Sequence, residues 1–106
     1  MIIAVAGPYS APTEEQRQAN LDAMNIAAAR LLEKGHIPII GMNAALPVLA
    51  QANIEDKYKA IMDISMAVID NCQAILLLAE SPGANRERDH IVAKGFPVYY
   101  TVEEVS

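Results

Sequence analysis

Glu87 stands six residues after Ser81 in the run Ser81-Pro82-Gly83-Ala84-Asn85-Arg86-Glu87, a spacing that can do chemistry. Ser81 reads as a helix N-cap and Pro82 as the first helical residue, because a Ser oxygen accepts an orphan N–H and proline has no N–H to leave unpaired. Glu87 then lies within the first two turns of that helix. The free N–H groups of the helix start suit an anion such as a phosphate, and a carboxylate just beyond them can attack or stabilise an electron-poor carbon. A second carboxylate of interest, Asp63, lies eighteen residues before Ser81. Near the chain start, Gly7-Pro8-Tyr9-Ser10 offers two hydroxyls in a stretch that can be neither strand nor helix.

These residues need elements to hold them. Ala74 to Ala79 is an uninterrupted apolar run closed by Glu80-Ser81-Pro82-Gly83, which predicts a parallel strand buried on both faces that feeds the helix carrying Glu87. Ile2 to Ala6 has the same pattern and ends at Gly7-Pro8. Thr13-Glu14-Glu15-Gln16 matches a capping box, and Leu21, Met24, Ala28 and Leu31 share one face up to Gly35, so a helix over 14–34 is expected. Asn20, one turn before Met24, is either a satisfied amide or a pocket residue. His36 to Ile40 is a short strand that Pro38 confines to an edge. Gly41-Met42-Asn43 reads as a turn, and Ala44 to Gln51 as a short helix with Pro47 in its first turn. Ile54, Tyr58, Ile61, Ser65, Val68 and Cys72 keep helical phase, predicting a helix or a broken pair of helices before the central strand. Glu87 to Lys94 continues the last helix, Gly95 stops it, and Phe96 to Tyr100 is a final strand.

This order of strands and helices implies a three-layer α/β fold, a flavodoxin- or Rossmann-like doubly wound parallel sheet of four to five strands. A strand order of 2-1-3-4 puts the switch point between the first strand and the Ala74 strand, so Gly7 to Ser10 and Glu80 to Glu87 face one crevice. Gly7, Pro8, Ser10, Ser81, Gly83 and Ala84 are therefore candidate binding residues, with Asn20 near them. Asp63 falls opposite the apolar stripe and is solvated if the helix is straight. Ile64 to Asn71 spans roughly 12 Å, however, so Asp63 reaches the ligand edge, and a break there would make it an N-cap turned toward the crevice.

The chain has 106 residues, 53% of them hydrophobic, which fits one domain over 1–106 with a single core. Thirteen acidic against eight basic residues leave a net charge of −5, the wrong sign for polymeric nucleic acid. A small phosphorylated ligand is compatible, since a helix start and one or two Arg suffice to hold it. The lone Cys72 makes no internal disulfide, and Met1 to Ala6 has neither the basic start nor the length of a signal peptide or membrane span. A cytoplasmic protein with no membrane partner is expected, and the apolar content of so short a chain predicts a homodimer or higher homo-oligomer.

Gly7-Pro8-Tyr9-Ser10 after an N-terminal strand, Asp63, and Ser81-x-Gly83-x-x-x-Glu87 together resemble the nucleoside 2-deoxyribosyltransferase superfamily, in particular its nucleoside 5′-monophosphate N-glycosidase branch. The resemblance spans nearly the whole chain. It implies that Glu87 is the nucleophile at the anomeric carbon, Asp63 the acid that protonates the leaving base, and Tyr9 an orienting hydroxyl at the sugar. It also implies that Ser10, Ser81 and the Gly83 backbone bind the 5′-phosphate, with no cofactor and no metal, and that a neighbouring subunit closes the pocket. Two carboxylates suit that reaction, because one can trap an oxocarbenium-like centre while the other supplies a proton. Arg88-Asp89-His90-Ile91 stands where relatives often carry small residues, and Asn71 where an Asp is common. The short chain favours the hydrolytic branch.

The expected activity is thus hydrolysis of a nucleoside 5′-monophosphate to free base and a (deoxy)ribose 5-phosphate. The alternatives are a nucleoside 2-deoxyribosyltransferase and a non-catalytic nucleotide-binding module on the same fold. A phosphoacceptor receiver is disfavoured, because Gly7-Pro8 stands where its acidic cluster would be, and a flavodoxin is disfavoured for want of a Ser/Thr-rich phosphate loop.

Overall fold

The computed structural model describes residues 1–106, and the elements follow in the order β1 (Ile2–Ala6), α1 (Glu14–Glu33), β2 (Ile37–Ile39), α2 (Gly41–Leu49), α3 (Lys57–Ile69), β3 (Ala74–Leu77), α4 (Pro82–Ala93) and β4 (Val98–Tyr99). The four strands form one parallel sheet in the order β2-β1-β3-β4, as the sequence predicted. β1 and β3 are central. Their register pairs Ile3 with Ala74 and Val5 with Leu76, so equivalent side chains share a face.

Alternation along these strands divides the core in two. Ile3, Val5, Ala74 and Leu76 pack with Met24, Ala27, Ala28 and Leu31 of α1 and with Val105, while Ala4, Ala6, Ile75 and Leu77 pack with Ile69, Ala84 and Ile91 of α3 and α4. Every residue of β3 is buried, which explains its run of apolar residues without alternation. The result is a three-layer, Rossmann-like α/β architecture. No helix is long and apolar enough to cross a membrane.

Several local expectations hold and others shift. Thr13 caps α1 by accepting from the Gln16 N–H at 3.1 Å, and Ser81 caps α4 by accepting from the Ala84 N–H at 3.1 Å. Gly35 and Gly95 follow α1 and α4 with φ of 93° and 86°, left-handed conformations that glycine adopts without a Cβ clash. Pro38 lies on an edge strand, where a missing N–H costs no ladder bond.

The expected turn at Gly41 to Asn43 is instead the start of α2, and Pro47 is inside that helix rather than in its first turn. Gly41 permits this because α2 begins in close contact with α3. A Cβ at Gly41 would come within 2.6 Å of the Ser65 Cβ. In α3 the buried residues are Met62, Ser65 and Ile69, so Ser65 and, just beyond the helix, Cys72 are inward as predicted, while Met62 and Ile69 replace Ile61 and the exposed Val68 on the buried stripe. Apolar pairs at Ile61-Met62 and Val68-Ile69 fit either phase, and the sheet selects one.

Candidate active site

Where β1 and β3 end side by side at the switch point, the molecule has a cavity of about 250 Å³. Three segments enclose it: the end of β1 with its loop (Val5, Ala6, Gly7, Tyr9, Ser10), the start of α4 (Ser81, Pro82, Gly83, Ala84, Glu87), and a wall from α1, α2 and α3 (Met24, Gly41, Met42, Tyr58, Ile61, Met62). This is the crevice in which open α/β sheets take ligands.

The α4 side is built by capping. The Ser81 hydroxyl holds the Ala84 N–H, Pro82 opens the helix, and the first turn then presents Gly83 and Ala84 to the cavity. Glu87 follows one turn after Gly83 on the same face. Its side chain is 6% exposed. Burial alone pushes its carboxyl up from the ordinary 4.5 to about 7, and no cation lies close enough to oppose the effect. A carboxyl in this state is poised to exchange a proton near neutral pH.

The β1 loop is held from α1. Asn20 Nδ2 donates to the Tyr9 carbonyl at 3.0 Å and Arg17 Nη1 donates to the Ala11 carbonyl at 2.8 Å. Asn20 also accepts from Gln16 Nε2 at 3.0 Å. Gln16 therefore spends its amide on Asn20, and only half of the expected capping box forms. Asn20 is accordingly a loop-positioning residue that does not line the cavity.

Of the residues singled out from sequence, Gly7, Tyr9, Ser10, Ser81, Gly83, Ala84 and Glu87 come together on one cavity. Pro8, Asn20 and Asp63 do not line it. Asp63 corrects an expectation: α3 runs unbroken from Lys57 to Ile69, its N-cap is Asp56 rather than Asp63, and Asp56 Oδ1 accepts from the Lys59 N–H at 3.0 Å. Without a break at residue 63 the side chain stays on the outer face. It is 63% exposed and pairs with Lys59 at 2.7 Å, one turn away.

Tyr58, Met24, Met42, Ile61 and Met62 are lining residues that the sequence did not reveal as such. Tyr58, Met24 and Ile61 showed only apolar periodicity, which is the same for a core and for a pocket wall, and Met42 was read as part of a turn. Arg88-Asp89-His90-Ile91 lies within α4. Arg88 pairs with Glu80 at 3.2 Å and with Asp89 at 3.0 Å, His90 meets Asp70 at 2.8 Å, and Ile91 is fully buried in the core. Lys94 and His90 hold the Asp70 carboxyl below its ordinary value, at the end of the helices away from the cavity.

No three His, Cys, Asp or Glu side chains cluster as metal ligands would. What the cavity offers is one carboxyl of raised proton affinity, the hydroxyls of Tyr9, Ser10, Tyr58 and Ser81, the Gly83 N–H at a helix start, and a wall of methionines. Such a set can bind an oxyanion at one end and act on an electrophilic carbon a helical turn away.

No curated protein matches the chain. Residues 1–100 match the family described as Domain of unknown function (DUF4406), and a match over nearly the whole chain makes this protein a member of that family.

Proposed function

We propose that this protein hydrolyses the N-glycosidic bond of a nucleoside 5′-monophosphate, with Glu87 as the nucleophile. One observation carries the reading: Glu87 is a buried carboxyl without a partner, one turn beyond a capped helix start, in a cavity at the sheet's switch point. In this reading the 5′-phosphate sits on the Gly83 N–H beside the Ser10 and Ser81 hydroxyls. The ribose then reaches along the first turn to Glu87, and the Tyr9 hydroxyl orients it.

The ionised Glu87 oxygen bonds to the anomeric carbon as the carbon–nitrogen bond breaks, and that electron pair leaves with the base, which takes a proton from solvent that the water attacking in the next step gives back. Water next attacks the glycosyl ester, releasing the sugar phosphate and restoring the carboxylate. The phosphate contributes binding energy that holds the reacting carbon in place. The resemblance to N-glycosidases supports the same assignment. Asp63 supplies the leaving base's proton in that family pattern, and its exposed position beside Lys59 gives this role no support from within one chain.

The test is a panel of ribo- and 2-deoxyribonucleoside 5′-monophosphates, with free base measured by chromatography. Base release is expected, and it should be much slower from nucleosides without the phosphate. Equal rates with and without phosphate would remove the phosphate site, and no release from any member would remove the hydrolase. An added free base that accelerates product exchange would assign the transferase chemistry instead.

The placement of Asp63 favours a second reading, a nucleotide-binding module without catalysis. Tight binding of a panel member with no base release would establish it. The reading also includes a cytoplasmic setting, in which buried Cys72 stays reduced, and a homo-oligomer, for which exposed Ile26 and Leu32 on α1 offer apolar surface. Light scattering that shows only monomer at micromolar concentration would remove the oligomer.

A further inference from the structure

Six of the eight basic side chains are already engaged. Arg17, Arg30, Lys59, Arg88 and Lys94 pair with Glu14, Glu33, Asp63, Glu80 and Asp70, and Lys34 donates to the carbonyls of Val102 and Val105. Arg86 is not paired with an acid, although acidic residues outnumber basic ones thirteen to eight. Its guanidinium instead lies over the ring of Tyr58, 5.5 Å from the centroid.

Tyr58 is the second residue of α3, lines the cavity, and is 45% exposed. It stands opposite the capped start of α4, one turn before Met62, whose sulfur would meet a Cβ on Gly83 at 3.3 Å. An aromatic ring at a cavity lip that is half open to water has apolar surface still to cover. The guanidinium fixes the orientation of that ring by attraction to its π electrons. A ring held in this way has its ordering cost met before a ligand arrives.

We infer that Tyr58, backed by Arg86, is the stacking platform on which the planar aromatic ring of the substrate rests at the cavity lip. This rests on the proposed reading of the same cavity. It extends that reading by assigning the substrate's ring to the α3 side and the anionic end to the α4 side. Stacking on an aromatic side chain tolerates any base, because every base has a π face. Tyr58 therefore holds the ring without selecting by hydrogen bonds, and Arg86 acts through Tyr58 as a positioning residue.

The experiment titrates the full chain with 2-aminopurine ribonucleoside 5′-monophosphate, whose fluorescence is quenched on stacking, and with ribose 5-phosphate as a ligand without the ring. Tyr58→Leu keeps apolar bulk on an exposed helical turn. It should weaken nucleotide binding about tenfold or more and abolish the quenching, while ribose 5-phosphate binds within about twofold of wild type. Tyr58→Phe keeps the ring and should retain the quenching that Tyr58→Leu loses, and Arg86→Gln should weaken the nucleotide by a smaller factor. If the wild type binds the nucleotide and Tyr58→Leu binds it equally well, the platform is overturned, while base release by the wild type would leave the glycosidase standing. Equal weakening of ribose 5-phosphate and nucleotide would also overturn it, because the lip would then serve the sugar phosphate. A wild type that neither binds the nucleotide nor releases base would overturn both.

Discussion

Glu87 and Asp63 carry the same chemical group, stand in the middle of neighbouring helices, and have opposite environments. Glu87 is buried among cavity residues with no cation beside it, whereas Asp63 is exposed and paired with Lys59. The difference arises from helical phase. Ala84, Glu87 and Ile91 are the buried residues of α4, spaced to share one face, so Glu87 is placed inward by the residues that anchor the helix. Met62, Ser65 and Ile69 do the same for α3, and Asp63, next to Met62 in sequence, is rotated about 100° away. A carboxylate on the core-facing stripe of a helix is desolvated and chemically tuned, while one on the outer face remains an ordinary surface charge.

The largest effect expected from this contrast is on catalysis. Glu87→Ala should reduce base release by about 10³-fold or more if Glu87 attacks the sugar, and a variant that keeps wild-type release would end the assignment. The reaction should also depend on pH, because the attacking form is the carboxylate. Its rate should climb as pH rises through about 7, the value to which burial pushes Glu87. A rate independent of pH between 5 and 9 would place the nucleophile elsewhere.

Stability should show the opposite slope. Folding raises the Glu87 carboxyl from 4.5 to about 7, so the folded chain binds the proton more tightly than the unfolded chain. Its contribution is fully present below the unfolded value and is lost as pH climbs through the folded one, by roughly 3 kcal/mol in all. Glu87→Gln removes the titrating group and should flatten this dependence. Denaturant midpoints at pH 4.5 and pH 8 check it, since an equal pH response in both proteins would mean that Glu87 is not the group responsible.

Asn20→Ala tests the other half of the cavity. Losing the donation to the Tyr9 carbonyl should cost about 1 kcal/mol of stability and raise KM several-fold through a looser β1 loop, with kcat little changed. An unchanged KM would show that α1 does not hold that loop. The smallest effect should belong to Asp63→Asn, with turnover within about threefold of wild type, as for a solvated charge. A loss of roughly 10²–10⁴-fold, the usual worth of a general acid, would instead show that Asp63 reaches a substrate in an assembly of chains.

Much of the fold was legible because it depends on local signals. Ser81-Pro82 marks a helix start, Gly35 and Gly95 mark helix ends, and the apolar runs of β1 and β3 mark strands buried on both faces. Together with the preference for right-handed crossovers, these signals also imply the strand order and the crevice at its switch point. The seven residues that gather there from Gly7 to Glu87 could be named from sequence, since each sits at or just beyond a strand's carboxyl end.

What needed the tertiary structure were the choices between equivalent local patterns. Whether α3 breaks at Asp63 could not be read locally, and only the tertiary structure shows one helix from Lys57 to Ile69 that leaves Asp63 exposed and puts Met62 on the cavity wall. Gly41 looks like a turn residue until Ser65 of α3 is seen to leave no room for a Cβ. Likewise, Tyr58 is one more apolar position in a helical period, and it becomes a cavity residue under a guanidinium only because α3 and α4 start side by side. Local propensity sets which segments become helices and strands, but the side that each turns inward is decided by which contacts can be buried together.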